Sequence, residues 1–99
     1  MMRLEIGPFV NADLEEIGDF IALDNPRRAV SFIQEIRERF RTISENPLIF
    51  RLHPEIGEDA RLSWHGRYVI LFRIDADIVR IERIIFGGRE LSKLYGPTG

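Results

Sequence analysis

The stretch from Ala60 to Leu91 reads ARLSWHGRYVILFRIDADIVRIERIIFGGREL, and its reading decides the fold. Apolar and polar residues alternate along it. Two short connections of turn-tolerant residues, at His65-Gly66 and at Asp75-Ala76-Asp77, cut it into three runs. Connections that short force antiparallel neighbours, so the stretch predicts a three-stranded meander. The middle run, Arg67 to Ile74, sets Tyr68, Ile70, Phe72 and Ile74 on one side and Val69, Leu71 and Arg73 on the other. A strand apolar on both sides is central and covered twice, or it offers one apolar face to a partner. In the last run, unbroken alternation places Val79, Ile81, Arg83 and Ile85 on one side and Ile78, Arg80, Glu82, Ile84 and Phe86 on the other.

Upstream, two helices are legible. Asn11 reads as an N-cap, with Leu14, Ile17, Phe20 and Ile21 at helical spacing behind it and Asp13, Glu15 and Glu16 near the positive end of the dipole. Asn25-Pro26 then starts a second helix, since asparagine caps and proline suits the first helical position. Its apolar residues Ala29, Phe32, Ile33, Ile36, Phe40 and Ile43 step by three or four, while Arg27, Gln34, Glu38 and Arg41 face away. Glu35 and Arg39 are spaced to pair on its surface. Leu4 and Ile6 alternate with Glu5 and Gly7 in a short first strand, ended by Pro8, that is expected to join the later sheet. Pro47 to Asp59 shows no periodicity and reads as an irregular connection. One helical hairpin can cover only one face of the sheet, so the other is expected to be bare and to serve for docking.

At 99 residues and 44% hydrophobic content the chain is expected to form one domain, residues 1–99, with a core large enough to need no staples. It has no cysteine, which removes disulfides and thiolate metal sites and suits a reducing cytoplasm. No signal-peptide pattern or membrane-length apolar run is seen, so a cytoplasmic protein is expected, without a membrane partner. The net charge of −2 argues against a globally basic nucleic-acid binder. Charge is uneven, however: residues 1–25 sum to −5, 26–60 to zero and 61–99 to +3. Of 14 basic residues only Lys93 is lysine, which suits planar recognition of carboxylates or phosphates but also follows from genomic base composition.

The candidate chemistry is sparse. Arg83 stands in an aliphatic row, where a charge needs a partner or water, and an intramolecular glutamate such as Glu90 competes with contact to another protein. Gly87-Gly88 before Arg89 lacks the strand–loop–helix setting and lysine of a phosphate loop. His53 and His65 read as exposed turn residues with no ligand-like spacing, so no metal or other cofactor is implied. Ser31, Ser44, Ser63 and Ser92 show no nucleophile elbow.

The order of Arg61-Leu62, Gly66-Arg67-Tyr68, the aliphatic run into Phe72-Arg73, and Ile81-Glu82-Arg83-Ile84-Ile85-Phe86-Gly87-Gly88-Arg89-Glu90-Leu91 resembles the ParE branch of the RelE/ParE toxins. The two helices, joined at Asn25-Pro26 and closed at Asn46-Pro47, extend the likeness to nearly the whole chain. The resemblance implies an α+β fold with RelE-like β-α-α-β-β-β topology, a helical hairpin packed on an antiparallel sheet. It implies the toxin of a type II toxin–antitoxin module, neutralised by a ParD-like antitoxin and inhibiting DNA gyrase through protein–protein contact, with no catalytic residue. Operator DNA would be reached only through the antitoxin. A helical antitoxin segment would set its apolar side in a groove and its acids on the arginines, which nominates Arg61, Trp64, Leu71, Arg73, Arg83 and Arg89 as antitoxin- or target-binding residues. The alternative is a RelE-like, metal-independent, ribosome-dependent messenger RNA endoribonuclease using Arg61, Arg89 and Tyr95. Against it, Phe86 stands where relatives often have histidine, Val69 where RelE-like enzymes have arginine, and the lysines of that branch are missing. A third possibility is a member that only binds its cognate partner.

Overall fold

The computed structural model describes residues 2–87. Its elements follow the order β-α-α-β-β-β: strand β1 (Arg3–Ile6), helix α1 (Val10–Ala22), helix α2 (Pro26–Glu45), a short 3-10 turn (Pro47–Ile49), then strands β2 (Arg61–His65), β3 (Tyr68–Asp75) and β4 (Ile78–Phe86). The four strands form one sheet in the order β1-β4-β3-β2. The meander is antiparallel, while β1 runs parallel to β4 with Arg3 opposite Ile78 and Ile6 opposite Ile81. The sheet is therefore mixed: the helical hairpin carries the chain from β1 to the far edge strand β2, and the meander returns to lay β4 beside β1.

Local chemistry accounts for the helix boundaries. Asn25 caps α2 through its side-chain oxygen, which accepts from the Arg28 N–H at 3.1 Å, and Pro26 fills the first turn. The start of α1 differs from expectation. Its cap position is Phe9 with no side-chain hydrogen bond, and Asn11 lies inside the first turn. The chain enters α1 from β1 through Gly7, whose N–H donates to the Ile81 carbonyl at 2.8 Å. A Cβ at Gly7 would lie 2.7 Å from that same oxygen, so strand and helix can be joined this closely only without a side chain. At the hairpin between β3 and β4, Ala76 adopts a positive φ of 56°, a conformation that L residues take at a cost.

The helical hairpin packs on one face of the sheet. Val10, Leu14 and Ile17 of α1 and Phe32, Ile36, Phe40 and Ile43 of α2 form a continuous core with Ile70, Phe72, Val79, Ile81 and Ile84. A bulge in β4 breaks the predicted alternation: Leu71 faces Arg83 and Phe72 faces Ile81, leaving Glu82 as an extra residue. Val79, Ile81 and Ile84 thus belong to the helix-side core, while Ile85 joins Val69 and Leu71 on the opposite side.

The opposite face is not bare. Ala60, Leu62, Val69, Leu71 and Ile85 form a second, smaller cluster, covered in part by Ile56 from the connection after α2. Other surface details also differ from expectation. Glu35 pairs with Arg28 at 2.6 Å instead of Arg39, and its second oxygen meets His65 Nε2 at 2.7 Å. His65 is consequently part-buried against α2, where its ring lies 5.2 Å from that of Phe32. His53 is likewise held, by Glu55 at 2.8 Å.

Candidate protein-docking site

The residues nominated from sequence are dispersed by the fold. Arg61 stands opposite Phe72, a residue of the helix-side core, so the pleat turns it toward the helix layer. Its guanidinium donates to the Phe50 carbonyl and ties the connection after α2 to the edge strand β2. Arg73 stands opposite Arg80 on the other side of the sheet. It donates to the Glu58 carbonyl and pairs with Glu82 at 3.5 Å, which pins the same connection over the second cluster. Leu71 is only 1% exposed and sits beneath that cover, packing the cluster from within. Trp64 is 49% exposed, and its ring lies so close to Gly87 that a Cβ there would collide with it. Arg89 and Tyr95 lie outside the described residues.

Arg83 has the most specific arrangement. Its Nε and Nη2 donate to the two carboxylate oxygens of Asp13 at 2.8 and 2.9 Å, and the Ile84 N–H donates to the same carboxylate at 3.0 Å. Asp13 is 7% exposed, so this bidentate pairing satisfies a charge that burial would otherwise make costly. Among the described residues this partner is an aspartate of α1, and Glu90, the glutamate suggested by the sequence, lies outside them. Asp13 was missed because it read as a first-turn dipole acid, although it shares the helical stripe of Val10, Leu14 and Ile17. The Phe9 ring lies 5.2 Å from the same guanidinium.

Beside this pair opens a cleft of about 470 Å³ between α1 and the ends of β3 and β4. Glu16 and Phe20 line its α1 wall, Tyr68 and Phe86 its sheet wall, and Asp13 and Arg83 also contribute to its lining. Tyr68 meets the Phe86 ring edge-on at 5.6 Å and the Phe32 ring of α2 at 5.5 Å, so the sheet wall is braced from behind by the core. Burial raises the Tyr68 phenol above its usual value, and the negative charge of Glu16 adds to the shift. Phe20, expected in the core, is instead 67% exposed, and Phe86 is 46% exposed. Phe20 lines the cleft, whereas Ile21 beside it packs against the core. An aromatic-walled cleft with one compensated ion pair suits the burial of another protein's side chains.

Comparison with solved structures places the fold. A chain of the chromosomal ParDE toxin–antitoxin system from P. aeruginosa is similar with a TM-score of 0.77 and 23% identity, over 89% of this chain and 98% of that one. A chain of the toxin–antitoxin complex RelBE2 from Mycobacterium tuberculosis is similar with a TM-score of 0.59 and 21% identity, over 87% and 98%. Comparison with curated proteins returns no match. The sequence profile of the ParE toxin of the type II toxin–antitoxin system, parDE, matches residues 4–91, and with that the chain belongs to the ParE toxin family.

Proposed function

We propose that this chain is neutralised by a ParD-like antitoxin that seats apolar side chains in the cleft between α1 and the sheet, and that it acts on DNA gyrase by protein contact. The observation that carries the docking site is the pair of half-open aromatic walls. Phe20 and Phe86 leave more apolar surface in water than an isolated fold requires, and they flank a pre-formed cavity braced by Tyr68 and Phe32. The gyrase assignment rests on the ParE branch to which the sequence is similar. A binding mode of action also accords with the structural roles of the basic residues. Arg61, one of the three groups the nuclease alternative needs, is engaged with the Phe50 carbonyl.

Expression in bacteria tests the reading. Gyrase poisoning is expected to induce the DNA-damage response and to stall supercoiling, and co-expression of the protein encoded immediately upstream should restore growth. Cleaved transcripts with halted translation would transfer the assignment to the ribosome-dependent nuclease. Healthy cells with intact antitoxin binding would identify a member that has lost toxicity.

A further inference from the structure

We propose that the anchor this cleft accepts is a cationic side chain, arginine or lysine, carried on an apolar partner segment. This rests on the antitoxin reading above and reverses the charge pairing that the family resemblance implies, in which antitoxin acids meet toxin arginines.

The sign follows from charge accounting inside the cleft. The guanidinium that lines it, Arg83, donates through Nε and Nη2 to Asp13, whose carboxylate also takes the Ile84 N–H. Those two charges cancel locally. Glu16, three residues further along α1, lines the same space and forms no ion pair among the described residues. Its field reaches the opposite wall, where it contributes to the raised Tyr68 phenol. Among the described residues, the uncompensated charge lining the cleft is therefore negative.

The walls agree with that sign. Phe20, Tyr68 and Phe86 bring three aromatic rings around the cleft, and ring faces attract cations while repelling carboxylates. The helix that carries Glu16 is itself acidic. Glu15 and Asp19, which border the separate groove between α1 and α2, and Asp24 just beyond α1 make no ion pair among the described residues, so an acidic segment nearing α1 would meet like charge. Arg73 and Arg61 do not offset this, because neither lines the cleft and Arg73 is paired with Glu82.

Fluorescence anisotropy on the full chain tests the sign with two labelled amphipathic helical peptides that share a leucine face and differ only in arginine or glutamate on the polar face. The arginine peptide is expected to bind about tenfold more tightly, and Glu16→Gln to reduce its affinity about three- to tenfold while leaving the glutamate peptide unchanged. Equal or tighter binding of the glutamate peptide, or indifference to Glu16→Gln, would overturn the proposal. So would a gain in arginine-peptide affinity in a full-length Lys93→Gln variant, which would make the chain's own basic C-terminal segment the occupant. A cell-based arm separates this claim from the reading beneath it. Glu16→Lys should remain toxic but escape rescue by the upstream protein. Continued rescue sinks the charge assignment and leaves the toxin–antitoxin reading intact, and loss of toxicity assigns Glu16 to the target contact and also overturns the proposal. A wild-type chain that neither binds nor is rescued by the antitoxin removes both.

Discussion

The two faces of the sheet are closed by different means. On the helix side, large side chains from α1 and α2 interlock with Ile70, Phe72, Val79, Ile81 and Ile84, and burial of apolar area dominates. On the other side, a smaller apolar cluster is covered by an irregular connection, which is held down by the Arg73 guanidinium donating to the Glu58 carbonyl. The difference shows what the arginines of this chain do at home. An irregular segment has few backbone partners of its own, and a long forked donor supplies them without a regular ladder.

Mutations can sharpen that contrast. Phe72→Ala should destabilise the fold by about 3–5 kcal/mol in chemical denaturation, and Leu71→Ala on the lesser face by less, about 2–3 kcal/mol. Equal losses would show that the two clusters contribute alike. Arg83→Leu leaves the Asp13 carboxylate buried without its two guanidinium donors, and a loss of about 2–3 kcal/mol is expected. Adding Asp13→Asn should recover part of it, and a double variant no better than the single one would deny the coupling.

Arg73→Ala should change global stability by only about 1 kcal/mol, yet raise hydrogen exchange in residues 50–59 selectively. Uniform exchange across the chain would mean that the connection is not held by this residue. Ala76→Gly relieves the positive φ at the last hairpin and should raise stability by about 0.5–1 kcal/mol, measurable as a shift in the denaturation midpoint.

The smallest effect is acid dependence at Glu35, an exposed link between α2 and β2. Arg28 foremost, then His65, hold its carboxyl down at about 2, below the ordinary value of 4.5. A depressed folded-state pKa contributes stability that is present above the unfolded value and is lost as pH falls toward about 2. The Tm difference between wild type and Glu35→Gln should therefore shrink over that acidic window and stay level above it.

Much of this architecture was legible in the sequence. The Asn25-Pro26 start, the apolar stripe of α2 and the two tight turns of the meander are local signals, and each produced the expected element. What failed was non-local. Nothing in Ile81 to Phe86 announces that Glu82 is a surplus residue, because aliphatic residues continue on both sides of it and either phase looks plausible. Asp13, which pairs with Arg83, lies 70 positions away, and only its helical phase hinted at the contact. The surroundings of the nominated arginines were equally hidden: the register sends Arg61 toward the helices, and Arg73 and Arg83 are tied to carbonyls and carboxylates of distant segments. Phe20 kept helical spacing with the core yet stands exposed at the cleft while Ile21 packs inward, a distinction that periodicity does not encode.

Trp64 gives the chain a private optical probe. It is the sole tryptophan, half in water, and its ring presses on Gly87 at the point where the polypeptide leaves β4. Any event that lifts or seals this exit should shift the emission wavelength of one indole with no competing fluorophore of its kind. Complex formation, unfolding and rearrangement there could then be timed in a stopped-flow instrument without attaching a dye.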